Sequence, residues 1–115
     1  MTPAALEAAA LALPGAELSM KWGADKVYCV GGKMFAATDM AGGHFSVKVS
    51  DIAFEVLTET GRARPAPYAA RFNWVMFEDL SVLDDAEVLG WLQGGRRMVA
   101  EKFPKKQRAA LGLKA

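Results

Sequence analysis

The feature that most limits how this chain can fold is the stretch from Glu17 to Val49, where apolar residues recur every second position and glycines interrupt them. Leu18, Met20 and Trp22 alternate with Ser19 and Lys21, and Gly23-Ala24-Asp25 then turns the chain. Successive side chains of an extended strand point to opposite sides, so a period of two buries one face. Lys26 to Val30 is rich in β-formers and runs directly into Gly31-Gly32. Two glycines between apolar runs predict a type I′ hairpin, because both central residues of that turn need positive φ. Lys33 to Thr38 makes a third strand, and Ala41-Gly42-Gly43 a looser turn. In the fourth strand Phe45, Val47 and Val49 face one way while His44, Ser46 and Lys48 face the other. The pattern is that of an antiparallel meander with one buried face.

Helical periodicity brackets the meander. Leu6, Ala9, Ala10 and Leu13 share one helical face. Pro3 suits the first turn, and Pro14-Gly15 stops the helix. After the meander Ser50 reads as an N-cap, and Ile52, Ala53, Val56 and Leu57 form an apolar stripe. Val49 and Phe54 are spaced as a hydrophobic staple, and Gly61 closes the helix. Prolines make Arg62 to Pro67 extended or irregular, and Asn73 to Phe77 reads as one later strand. Asp84 with Glu87 resembles a capping box ahead of a stripe through Leu89, Leu92, Val99 and Phe103. Gly94-Gly95 should loosen or break that helix, Pro104 should end it, and the tail beyond Ala110 should fray. The element order predicts an α+β two-layer sandwich, with helices on one face of the antiparallel sheet and the other face open. At 115 residues the chain fits a single domain, 1–115.

A 52% hydrophobic content supplies a core, and fourteen basic against thirteen acidic side chains leave a net charge of +1. The lone Cys29 cannot form an internal disulfide, which fits a reducing compartment. No run approaches the roughly 20 apolar residues that cross a bilayer, so no membrane role is expected. The first residues lack a cationic n-region, and the expected location is the cytoplasm.

Reactive constellations are scarce. A nucleophile–histidine arrangement could use only His44, beside Ser46 and Lys48 on one strand face, and a solvated face is the simpler reading. One His and one Cys do not make a zinc site. Gly31-Gly32-Lys33 lacks the upstream glycine and the following Ser/Thr of a phosphate loop, and Cys29 in mid-strand reads as packed. The expectation is therefore no catalytic residues, no metal and no cofactor.

Charge distribution says more than charge total. From Gly94 to Ala115 seven bases (Arg96, Arg97, Lys102, Lys105, Lys106, Arg108, Lys114) stand against Glu101, while Glu78, Asp79, Asp84, Asp85 and Glu87 crowd the residues just before. Such a pattern either steers an anionic partner or complements a helix dipole, acids first and bases last. A second basic group, Arg62, Arg64 and Arg71, is interleaved with Tyr68, Phe72 and Trp74. That group reads either as a phosphate- and base-contacting surface or as a solubilised loop around core aromatics.

Several segments in order resemble the small bacterial YjbR/MmcQ-like proteins: Leu13-Pro14-Gly15-Ala16, Trp22-Gly23, Gly32-Lys33-Met34-Phe35-Ala36 and Ser46-Val47-Lys48-Val49. Pro65-Ala66-Pro67-Tyr68, Asn73-Trp74-Val75 and Phe103-Pro104-Lys105-Lys106 continue the likeness. The resemblance implies a fold like that of the secretion-chaperone group and DNA binding through a double wing of hairpins. Residues of this chain that match are Lys33, Lys48, Arg71, Trp74, Lys105 and Lys106. Where the family tends to carry Ser-Tyr in the last helix, this chain has Gly95-Arg96, and no role of that tyrosine transfers. Two function classes stay open: a non-catalytic module binding DNA in a salt-dependent way, and a scaffold binding another protein or itself. The near-neutral total and a pI of about 7.9 weigh against the first.

Overall fold

The computed structural model describes residues 1–21, 25–39, 43–67 and 72–110. Helix α1 (Pro3–Leu11) begins at Thr2, whose hydroxyl accepts from the Ala5 N–H, with Pro3 at the first helical position. Strands β1 (Ala16–Lys21), β2 (Asp25–Val30), β3 (Lys33–Thr38) and β4 (Phe45–Lys48) follow as the expected meander. Gly31 and Gly32 turn β2 into β3 with φ of 58° and 79°, as a type I′ hairpin requires. The turns at Gly23-Ala24 and Ala41-Gly42 lie outside the described residues.

Helix α2 (Asp51–Glu59) is capped by Ser50, which accepts from the Ala53 N–H at 3.1 Å. Gly61 leaves it in the left-handed conformation at φ 74°. A two-residue strand β5 (Arg64–Pro65) then pairs with β6 (Trp74–Phe77). The sheet is antiparallel in the order β1-β2-β3-β4-β6-β5. The sixth strand was not expected from the sequence, since two residues carry no periodicity. A 3-10 turn (Leu80–Val82) leads into α3 (Asp85–Ala100).

Alternation along the strands divides the core in two. Tyr28, Val30, Phe35, Phe45, Val47, Val75 and Phe77 pack with Leu6 of α1, Leu57 of α2 and Val88 and Leu92 of α3. On the opposite face Trp74 and Met76 pack with Ala66 and Met34, and Val27 and Cys29 are buried as well. This corrects the expectation of an open second face.

Two further expectations fail around α3. Gly94-Gly95 does not break it: the helix runs unbroken from Asp85 to Ala100. A Cβ on Gly95 would lie 2.9 Å from the Lys48 carbonyl, 3.2 Å from the Phe35 carbonyl and 3.3 Å from Val47 Cγ2. The glycine is there because helix and sheet meet backbone to backbone. Pro104 does not end the last helix either; it precedes α4 (Lys105–Ala110) and accepts from the Arg108 N–H, an end suited to a residue without its own N–H. The tail after 110 lies outside the described residues.

Candidate functional site: a cationic end of the sheet

Strand polarity sorts the charges. In the meander, β1 and β3 start at the end of the sheet where β2 and β4 finish. Lys33, the first residue of β3, and Lys48, the last of β4, therefore share that end. Helix α3 points the same way: its N-terminal region adjoins Leu80, bonded to Gly43 at the far end, while Gly95 lies over Lys48 and Phe35. Its next residue, Arg96, donates Nε–H to the Pro14 carbonyl at 2.9 Å, just ahead of β1. Lys102, beyond the end of α3, is close enough to Lys48 to influence its protonation. Phe103 anchors the chain on the core, and α4 follows with Lys105, Lys106 and Arg108.

The opposite end collects Asp25, Asp39, Glu78, Asp79, Asp84, Asp85 and Glu87, from the start of β2, the ends of β3 and β6, and the start of α3. Acids in the first turn of α3 and Arg97 in its last complement the helix dipole, one of the two readings of the charge pattern. A six-residue strand such as β2 sets the two ends about 20 Å apart, whereas the Debye length in physiological salt is about 8 Å. A partner docking at the cationic end is screened from the acidic one. A net charge of +1 thus does not describe what such a partner meets.

Pairing decides which bases are available. Arg62 makes a two-pronged pair with Glu87 at 3.0 Å on both nitrogens and lies 5.7 Å over the Trp91 ring. Arg64 pairs with Glu78 at 3.0 Å and Lys26 with Glu7 at 3.1 Å. Among the described residues Lys33, Lys48, Arg96, Lys102, Lys105, Lys106 and Arg108 have no carboxylate within ion-pair distance. The Nε of Arg108 is buried with no hydrogen-bond partner among them. Acids lie at this end too: Glu17 near the start of β1, Asp51, which accepts from Asn73 Nδ2, and Glu101, 4.0 Å from Arg97.

Lys48 is a partly buried cation of this group. Burial lowers its ammonium below the ordinary value, Lys102 lowers it further, and Asp51 acts in the other direction. Its Nζ donates to the Phe72 carbonyl at 2.7 Å. Phe72 is 53% exposed. Asn73, which joins this loop to β6, holds φ at 63° and accepts from the Val49 N–H at 2.9 Å.

Of the residues singled out from the sequence, the fold brings Lys33 and Lys48 to one end, with Lys105 and Lys106 after the helix that finishes there. Trp74 is a correction: at 8% exposed it packs in the second-face cluster, and strand alternation turns its ring inward. Arg71 and Tyr68 lie outside the described residues. Arg96 and Lys102 were seen in the sequence only as part of a basic stretch. Their placement depends on where α3 crosses the sheet, which composition does not encode. His44 sits at the acidic end, with Nδ1 3.6 Å from Asp39 Oδ2.

Described residues hold no group of three or more His, Cys, Asp or Glu spaced for a metal ion, and no helix long and apolar enough to cross a membrane. Fold and surface together define a helix-backed antiparallel-sheet domain of the α+β class with one cationic end. The chain belongs to the YjbR family, whose model matches residues 11–98. The crystal structure of the Deinococcus radiodurans protein DR2400, with a DUF419 domain, superposes with a TM-score of 0.86 at 24% identity, over 98% of this chain and 89% of that one. No curated protein matches the chain.

Proposed function

We propose that this chain is a non-catalytic module that binds nucleic acid through its phosphates, using the cationic end of the sheet. The observation that carries the reading is the gathering of Lys33, Lys48, Arg96, Lys102, Lys105 and Lys106 at or beyond one end with no carboxylate partner among the described residues. Cations already neutralised by acids release few counterions when a phosphate arrives; unpaired ones supply the full electrostatic gain. Such contacts position a backbone without reading sequence, so the binding is sequence-tolerant.

Fluorescence anisotropy with labelled duplex and single-stranded DNA between about 50 and 200 mM salt tests this. With about four phosphates engaged, log K should fall against log salt with a slope of about −3 to −4. Lys33→Glu and Lys102→Glu should each weaken binding and flatten the slope by about one unit or more. Arg62→Ala, at a residue already paired with Glu87, should leave the slope unchanged. Absence of binding to either DNA at the lowest salt would refute the proposal.

A further inference from the structure

The two borders of the sheet are built in opposite ways. At one border β5 has two residues, one of them a proline and the other a charged arginine. Short length, proline and charge are the devices by which proteins keep a sheet edge from recruiting another strand. At the other border β1 has six residues, AELSMK, with no proline and no charge between Glu17 and Lys21. Its register with β2 is unbroken over all six positions. Leu18 and Met20 are 40% and 51% exposed, and Leu11 of α1, the helix packed on β1, is 39% exposed. Three of the eight large apolar side chains exposed among the described residues thus sit at this one border.

We propose that β1 pairs antiparallel with β1 of a second copy of this chain, about a two-fold axis at Ser19, so that two sheets become one. Backbone polarity supports this register. The Ala16 N–H donates to the Leu13 carbonyl at 3.1 Å, so Ala16 directs its N–H away from β2. By the two-residue period Leu18 and Met20 also present N–H and C=O to the open border. A two-fold at Ser19 sets Leu18 of one copy opposite Met20 of the other, where each such pair exchanges both bonds. The same register sets Glu17 level with position 21 of the other copy, a lysine. The strand is therefore complementary to itself when reversed: apolar against apolar in the middle, acid against base at the ends.

Long-range charge favours the same arrangement. Strand β1 runs from the cationic end of the molecule to the acidic end. Reversing the second copy lays the cationic end of each beside the acidic end of the other, which is the attractive orientation for two such dipoles. A parallel pairing, or an extended peptide of unrelated sequence, gains neither match.

Sedimentation velocity from about 10 μM to about 1 mM chain is the test. The weight-average mass should climb from 12.3 kDa toward twice that value. Met20→Lys, at an exposed position outside the core, should raise the dissociation constant at least tenfold while circular dichroism and the melting curve stay those of the parent. Glu17→Lys should weaken the dimer severalfold, and Glu17→Lys combined with Lys21→Glu should restore it. A chain that stays monomeric to millimolar concentration overturns the proposal, whether or not it binds an extended peptide from another protein. So does a folded Met20→Lys variant that dimerises like the parent. The measurement uses no nucleic acid, so its outcome is separate from that of the DNA titration.

Discussion

Replacing Gly95 by alanine should destabilise the protein, although the same change one residue earlier should stabilise it. Alanine in a helix interior is favoured over glycine by about 0.8–1 kcal/mol, and α3 offers three glycines to compare. At Gly90 and Gly94 a new Cβ meets nothing within 4 Å, so both substitutions should collect most of that gain. At Gly95 the new methyl would sit 2.9 Å from the Lys48 carbonyl, with the Phe35 carbonyl at 3.2 Å and Val47 Cγ2 at 3.3 Å. The nearest two are backbone atoms of central strands and cannot swing aside, so the helix must lift from the sheet. Overpacking of this kind costs about 1–3 kcal/mol, which exceeds the propensity gain and leaves a net loss of about 1 kcal/mol. The two neighbouring variants should then differ by about 2 kcal/mol. For a chain this size that is about 8 °C in melting temperature, with Gly94→Ala above the parent and Gly95→Ala below it. Urea unfolding followed by circular dichroism gives the free energies directly. If Gly95→Ala matches or exceeds Gly94→Ala, the backbone contact between α3 and the sheet is not what this position requires.

Asp84→Ala should lower stability by about 1 kcal/mol, read as a lower urea midpoint at unchanged m-value, because it removes the acceptor of the Glu87 N–H at 3.1 Å. Arg62, through its hydrogen bonds first, holds the Glu87 carboxyl below its ordinary value of 4.5. A depressed carboxylate adds stability above its unfolded pKa and loses it as pH falls through the folded one. Acid titration of melting temperature should therefore drop below about pH 4.5, by a small amount at this exposed pair, and Glu87→Gln should flatten that drop. At Lys48 the sign is reversed: its ammonium is depressed, so an arriving phosphate favours the charged form. Calorimetry of DNA binding in alkaline buffers of different ionisation heat should show proton uptake, and Lys48→Arg should abolish it.

Local physics was largely legible in the sequence. Gly31-Gly32 named its own turn, and Ser50, Asp84 and Gly61 marked helix ends with donors, acceptors and φ values that the fold reproduces. Val49 and Phe54, spaced as a staple, both pack on the main core. What misled was any residue whose reason lies across the fold. Gly95 looks like a helix breaker until the sheet beneath it is known. Arg62 and Arg64 look available until Glu87 and Glu78 arrive from 25 and 14 positions away in the chain. Trp74 sits among arginines in the sequence, yet alternation with Val75 and Phe77 turns it into a second core cluster. The cationic end falls between these cases. Lys33 and Lys48 can be placed together once a meander is accepted, since one opens a strand and the other closes its neighbour. Arg96 and Lys102 need the crossing point of α3.

The proline-bearing two-residue strand at the far border would also set the stoichiometry of the β1 pairing proposed above. A lamina with two sticky margins has no natural stopping point and grows into a fibre. With one margin blunted, each molecule has a single valence of this kind, and joining two molecules exhausts it. The arginine and proline of β5 are thus the residues that would keep such assembly finite at any concentration.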